Sequence, residues 1–145
     1  MKGKAVFQDF EVRTRPGDGV PRLAALRTAM AAAGVDGFLV PRADRFQGEY
    51  VAPCDDRLAW VTGFTGSAGF AAVLQDRAGV FVDGRYRVQV KAQVDLSVYT
   101  PVDWPEVKLV DWLRESLPEG GRMGFDPWLH TIEEVAALRK GLAGS

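Results

Sequence analysis

The sequence has 145 residues, of which 47% are hydrophobic and 26% charged, and this balance predicts one globular domain. Eighteen basic residues against nineteen acidic ones leave a net charge of -1, which argues against nucleic acid or an anionic membrane as a partner. The single cysteine, Cys54, excludes an internal disulfide and favours a reducing compartment, so the cytoplasm is the predicted location.

The first half of the chain predicts a helix, a strand and a loop. Apolar residues at helical spacing predict a helix from Pro21 to a cap at Gly34. The apolar run 37–40, ended by Pro41, is typical of a buried strand. Residues 42–53 are polar and lack periodicity, which indicates a functional loop or a solvated connection.

The middle of the chain predicts a β-hairpin after a short helix. Residues 55–61 have room for one or two helical turns. Residues 70–74 and 80–82 read as strands, and the intervening residues 75–79 have the length and turn chemistry of a hairpin connection. Two antiparallel strands are expected here.

Helices and strands alternate in the last third. The expected elements are a helix at 84–92 capped by Asp83, a strand at 96–99, a helix opened by Pro105, a strand at 123–125 and a last helix with a capping box from Thr131 and Glu134. The whole order predicts a mixed sheet of five strands with helices on its faces. One α/β domain is expected over residues 20–145, after an extended lead-in over residues 1–19.

Residues suited to hydrolytic chemistry are sparse. The one histidine, His130, stands near a predicted helix start, where a surface or capping role is expected rather than a metal site. Without a second histidine, Cys54 and Ser67 would both need His130 as their base, and neither lies in a nucleophile motif. No catalytic residue is therefore assigned to this chain.

Acidic residues and glycines have structural interpretations as well. A nuclease-type metal cluster would need carboxylates at a ligand spacing, which the candidates lack, so capping and ion pairing are expected of them. They are Asp44, Glu49, Asp55, Asp56 and Asp83. Gly63, Gly66 and Gly69 are not followed by the lysine and hydroxyl residue of a phosphate loop, and they lead into a strand, so they predict tight turns.

Five fragments, in order, resemble the N-terminal domain of Xaa-Pro aminopeptidases, the creatinase N-terminal type. They are residues 47–57, 61–69, 82–86, 117–120 and 124–127. The Asp-Gly-Arg-Tyr at 83–86 is similar to the long, three-domain aminopeptidases P. The resemblance implies a mixed, roughly six-stranded sheet flanked by helices, with a ribonuclease H-like motif. Phe46 and Gly48 depart from the family's His-Gln-Ser-Glu-Tyr, so no polar role of that histidine is expected here.

The resemblance also implies a function. In the family, two metal ions, usually manganese, in a C-terminal pita-bread domain cut the peptide bond before proline, and this chain contains no such domain. The implied partners are that domain, a middle domain, a peptide with proline at its second position and a second copy in a homodimer. Residues 141–145 look like a cut within a linker of small residues, which favours continuation. The alternative is a stand-alone module that binds a peptide or protein.

Four residues are candidates for proximity to the substrate. Arg85 is the first choice, because the matching arginine of the family is implicated there and a guanidinium offers a planar fork of donors; a surface ion pair with Asp83 is the alternative. Tyr50 and Arg57 are candidates for lining an interdomain cleft. Trp60 is a candidate for an aromatic wall against proline, with burial in the core as its alternative.

Overall fold

The computed structural model describes residues 14–145, which form five strands and five α-helices. The strands are β1 (Gly37–Pro41), β2 (Phe70–Leu74), β3 (Ala78–Val82), β4 (Thr100–Asp103) and β5 (Met123–Gly124). The helices are α1 (Gly19–Ala33), α2 (Arg57–Thr62), α3 (Arg87–Gln93), α4 (Leu109–Ser116) and α5 (Ile132–Leu142), and 3-10 turns span Pro16–Asp18 and Gly84–Tyr86.

The strands form one mixed sheet in the order β4-β3-β2-β1-β5. β2 runs antiparallel to β1 and β3, whereas β4 is parallel to β3 and β5 is parallel to β1. The carboxyl ends of β1, β3, β4 and β5 therefore lie at one edge of the sheet, together with the start of β2. This carboxyl edge is where the side chains discussed below are positioned.

The two faces of the sheet are covered unequally. Helices α1, α2 and α3 pack on one face, where fourteen buried residues form the larger core cluster around Phe64, Val80 and Tyr99. Helices α4 and α5 lie on the other face, where the buried cluster has only four members. These are Leu39, Ala72, Phe81 and Val102, with half-buried residues of α4, α5 and β5 packed against them.

The structure confirms the α/β class and the mixed sheet flanked by helices. The described residues contain five strands, as the pattern of apolar runs predicts, and not the six implied by the resemblance. Gly34 ends α1 in the left-handed conformation, with φ of 68°. Thr131 and Glu134 form the predicted capping box at the start of α5.

Two predicted elements are displaced along the chain. Residues 96–99, predicted as a strand, form a turn because the amides of Val98 and Tyr99 donate to the carbonyl of Asp95; the strand begins at Thr100. The helix expected at Pro105 begins only at Leu109, because the preceding residues form a turn closed by the Val107 amide on the Asp103 carbonyl.

The predicted lead-in lies mainly outside the described residues, which begin at Thr14. Its last part, Pro16–Asp18, is a 3-10 turn that continues directly into α1 at Gly19, two residues before the predicted start at Pro21. Gly19 is buried at this junction, where an added Cβ would lie 3.2 Å from the Tyr99 ring.

Candidate substrate-facing site at the carboxyl edge of the sheet

Four of the five family-like fragments meet at the carboxyl edge. Residues 47–57 follow β1, residues 61–69 lead into β2, residues 82–86 leave β3 and residues 124–127 leave β5. Only residues 117–120, which precede β5, lie at the opposite edge. Ligands of α/β sheets generally bind beyond the carboxyl ends of the strands, so this edge is the candidate functional site.

Arg85 is fixed at this edge by Asp83, the residue that follows β3. The Asp83 carboxylate accepts from the Arg85 amide at 2.9 Å and caps the 3-10 turn. It also accepts from Nη2 of Arg85 at 2.8 Å and from Nε at 3.1 Å, a two-pronged pair. These hydrogen bonds lower the pKa of Asp83 and raise the pKa of Arg85.

The pair leaves part of the guanidinium free. The Arg85 side chain is 66% exposed, and its Nη1 has no acceptor among residues 14–145. The predicted alternative, an ion pair with Asp83, is thus present in the structure. It holds the side chain in place without using all of its donors.

Tyr86 connects two of the fragments. Its hydroxyl shares a hydrogen bond with the Ser67 hydroxyl, which chiefly lowers the pKa of Tyr86. The Tyr86 ring packs edge-on against Phe64, with 5.6 Å between centroids, and the Arg85 guanidinium carbon lies 5.1 Å from its centre. Gly66 is required here, because an added Cβ would lie 2.2 Å from the Phe64 ring. The Tyr86 ring, which is held by Phe64 and the Ser67 hydroxyl, therefore lies against the Arg85 guanidinium.

Arg57 and Asp126 link α2 to the segment after β5 at the carboxyl edge. Nη1 of Arg57, the first residue of α2, forms an ion pair with Oδ2 of Asp126, just after β5. Burial raises the pKa of Asp126, but the amide of Trp128 and the Arg57 guanidinium outweigh it and hold the pKa below its usual range. Sequence reasoning missed Asp126 as a site residue, although both partners lie in family-like fragments.

Trp60 borders a cavity beside this ion pair. Its side chain is 56% exposed, so it is not the core residue considered as its alternative. The Arg22 guanidinium lies 4.8 Å over its ring and donates to its carbonyl at 2.8 Å. The cavity holds about 270 Å³ and is lined by Trp60, Arg57, Asp126 and apolar residues of β1 and α1.

Tyr50 stands apart from these two groups. It is 86% exposed in the loop between β1 and α2, and no hydrogen bond or ionic contact joins it to Arg57, Trp60 or Arg85 in the described part of the chain. The loop itself is organised by buried Asp44, whose Oδ1 accepts from the amides of Phe46 and Gly48 at 2.9 Å each. Asp44 thus has a structural role within the loop, although it caps no helix.

The described residues of this edge offer hydrogen-bond donors and an apolar cavity. Within residues 14–145, no three His, Cys, Asp or Glu side chains are grouped as a metal ion would require, so this region does not fit a dinuclear centre. In the same region no helix combines the length and apolar character needed to cross a bilayer. This carboxyl edge presents the unpaired side of the Arg85 guanidinium, the exposed indole of Trp60 and an apolar cavity.

The position of His130 differs from the one predicted. Its side chain is only 9% exposed and packs edge-on against Phe125 at 5.5 Å, so it is neither a surface residue nor the cap, which is Thr131. His130 precedes α5 in the sequence, and its ring packs inward beside the residues of that helix. Burial lowers the pKa of His130 despite Glu134 Oε2 at 3.6 Å from Nδ1.

Known proteins share both the sequence and the fold. The sequence profile described as "Creatinase/Prolidase N-terminal domain" matches residues 22–145. Xaa-Pro aminopeptidase 2 of Homo sapiens is 38% identical over 123 residues, which are 85% of this chain and 18% of that protein. A probable Xaa-Pro aminopeptidase P of Coprinopsis cinerea is 40% identical over 128 residues, 87% of this chain and 21% of the relative.

Solved structures of other proteins share this fold. An X-prolyl aminopeptidase of Caenorhabditis elegans, described as a cytosolic enzyme with a di-nuclear active site, superposes with a TM-score of 0.78 at 30% identity, covering 86% of this chain and 22% of that one. The separately crystallised N-terminal domain of a metallopeptidase from Corynebacterium diphtheriae gives 0.64 at 23% identity, with 87% and 90% coverage, and shows the fold. The chain spans about a fifth of the length of the relatives it matches.

Proposed function

Since this chain belongs to the creatinase/prolidase N-terminal domain family, we propose that it serves an Xaa-Pro aminopeptidase as a non-catalytic domain. Its role is to shape access of the peptide substrate to a catalytic centre elsewhere in the same protein, and to take part in assembly of that protein. The observation that carries the proposal is the meeting of four family-like fragments at the carboxyl edge, around a partly free Arg85.

The edge has the chemistry to position a peptide. Nη1 of Arg85 donates to a backbone carbonyl or a carboxylate of the substrate, while Asp83 holds the other side of the guanidinium. Trp60, with Arg57 beside it, presents an aromatic surface and an apolar cavity suited to a proline ring. An exopeptidase gains selectivity from such a wall without the wall touching the reacting bond.

The metal chemistry belongs to the rest of the protein in this proposal. Two metal ions, manganese in the proposal, sit in a C-terminal domain and supply the activated water for cleavage before proline. The di-nuclear site named for the nematode enzyme supports the two ions of this proposal. A middle domain and a homodimer complete the proposed assembly.

The proposed location is the cytoplasm. The nematode relative is described as cytosolic, and the single Cys54 of this chain is an exposed free thiol. An exposed thiol suits a reducing compartment, where it persists without oxidation.

Replacing Arg85 tests the proposal. In the longer protein, we expect Arg85→Ala to reduce kcat/KM for Xaa-Pro peptides about 10-fold, equivalent to about 1.4 kcal/mol, because a donor to the bound peptide is lost. Arg85→Lys should recover only part of this, since an ammonium lacks the planar fork. Steady-state kinetics over a range of substrate concentrations measure the effect.

The matched control is Arg77→Ala. Arg77 is also an exposed arginine next to an aspartate, 4.0 Å from Asp76, but it lies in the hairpin turn at the opposite edge of the sheet. Its replacement should leave kcat/KM unchanged. Equal kinetics for Arg85→Ala and Arg77→Ala would remove Arg85 from the substrate site.

A further inference from the structure

The sheet face under α4 and α5 is incompletely covered within residues 14–145. Helix α5 has no buried residue along its eleven positions, and α4 has one, Leu113. By contrast, the opposite face buries fourteen residues under three helices. A helix with few buried side chains has little burial to stabilise it, so its hydrogen bonds open easily when the domain is isolated.

Three adjoining clefts run along α5 and leave apolar side chains accessible. They hold about 340, 350 and 510 Å³. We call them together the α5 groove and define it by Leu117, Met123, Phe125, Ile132, Leu138 and Leu142. Ile132 is 86% exposed, unusual for a large aliphatic residue. Adjoining clefts with accessible apolar side chains are typical of an interaction surface.

We propose that the α5 groove is the docking surface for the domain that follows this one in the longer polypeptide. The inference rests on the proposed function, because it needs a longer protein. It goes further because it assigns the interface between the two domains to one face of this domain. The substrate-facing carboxyl edge and the α5 groove are then two surfaces with separate tasks.

The position of the last helix identifies this occupant. Leu142, the last residue of α5, lines two of the three clefts, so a continuing chain leaves from the wall of the groove itself. The relatives that share this domain devote about four-fifths of their length to other parts. A domain tethered by a short linker next to a groove has an effective concentration of about millimolar, which makes weak apolar contacts sufficient.

The amino-terminal segment is less well placed to fill the groove. Thr14 is bound on the other side of the molecule, where its Oγ1 donates to the Gly63 carbonyl at 2.7 Å, after α2. The chain before it therefore starts from the face covered by α1, α2 and α3. The experiment below must distinguish occupation of the α5 groove by residues 1–13 from occupation by the following domain.

The charges around the groove define what the docking domain presents. Two arginines, Arg114 and Arg139, and one acid, Glu119, line its clefts, and neither arginine forms an ion pair with another residue in the described region. Cations at the rim of an apolar surface favour a partner with carboxylates around an apolar ridge. The partner surface is thus expected to be apolar at its centre and acidic at its margin.

Hydrogen exchange of α5 amides tests the proposal. The 145-residue chain is compared with the longer polypeptide, since a related N-terminal domain has been crystallised alone. We expect α5 amides to exchange at least 10-fold more slowly in the longer polypeptide, because docking suppresses local opening. Amides of α1, already covered on the other face, should change much less.

A matched pair of variants checks the surface. Ile132→Ser removes an exposed aliphatic side chain from the first turn of α5, and Val88→Ser does the same on α3, where Val88 is 84% exposed. Ile132→Ser should lose most of the α5 protection in the longer polypeptide, and Val88→Ser none of it. Neither should shift the unfolding midpoint of the 145-residue chain appreciably, because both side chains are already in solvent.

Each other outcome overturns the proposal. Equal α5 exchange in both proteins would leave the groove unoccupied. Loss of α5 protection from the 145-residue chain on deletion of residues 1–13 would assign the groove to that segment. Protection that rises with concentration of the 145-residue chain would assign it to a second copy. The Arg85 kinetics are independent of α5 exchange, so the failure of one proposal is distinguishable from the failure of the other.

Discussion

His130 is the side chain whose burial makes folding depend on pH near neutrality. Its pKa lies below the ordinary value of about 6.5 because burial disfavours the charged ring. Near that value the unfolded chain binds a proton that the folded chain does not. The free energy of unfolding should therefore fall as the pH is lowered from 7.5 to 5.5, by at most about 1.4 kcal/mol per pH unit.

Urea unfolding at a series of pH values measures this effect. His130→Gln should flatten the profile, since His130 is the one histidine of the chain. Carboxyl groups with lowered pKa, such as those of Asp83 and Asp126, lose their stabilising contribution only below about pH 5, outside this window. An unchanged slope in His130→Gln would show that His130 is not the group responsible.

Only some of the site residues could be predicted from the sequence. Arg85 and its pairing with Asp83 followed from residues two apart in a recognisable turn. The pairing of Arg57 with Asp126 did not, because 69 residues separate them and only the adjacency of β1 and β5 brings them together. The inward position of His130 was missed although Phe125 and Glu134 are close in sequence, because a position before a helix does not show which way the side chain packs.

At the level of elements, the capping box of α5 is the clearest local signal in the chain. The Thr131 hydroxyl accepts from the Glu134 amide at 3.2 Å, and the Glu134 carboxylate accepts from the Thr131 amide at 2.8 Å. Thr131→Ala should lower the free energy of unfolding by about 1 kcal/mol, because an amide at the helix start loses its acceptor. Denaturant unfolding of the 145-residue chain measures it.

Thr28→Ala is the control for the cap. Thr28 is exposed within α1, where its hydroxyl donates to the Ala24 carbonyl one turn earlier at 3.0 Å. Alanine is the better helix former there, so stability should stay the same or rise by a few tenths of a kcal/mol. Equal losses for both substitutions would contradict a specific capping role of Thr131.

Elements were predictable where local chemistry alone defines them. The cap at Gly34, the hairpin and the capping box all depend on residues close in sequence, and all three are present. The fourth strand was misplaced because Asp95 draws residues 96–99 into a turn and Tyr99 is buried with its hydroxyl on the Val61 carbonyl at 2.7 Å. Within this run Tyr99 is buried but Leu96 is 56% exposed, so the apolar residues mark neither a strand nor continuous burial.

For the molecule as a whole, the two proposed surfaces lie on different parts of the sheet. The carboxyl edge gathers the family-like fragments and exposes Arg85 and Trp60, whereas the α4 and α5 face carries the apolar groove. The residue order predicted the mixed sheet but not this separation, because the edge and the groove are assembled from segments far apart in sequence. Only the strand order shows which fragments share an edge.

The central claim is that this domain contributes recognition and assembly while the chemistry resides elsewhere in the protein. Its most direct test is cleavage of an Xaa-Pro peptide, with added manganese, by the purified 145-residue chain and by the longer polypeptide side by side. The account predicts turnover by the longer polypeptide and none by the 145-residue chain. Clear turnover by the 145-residue chain, with two metal ions bound by its own carboxylates, would contradict it.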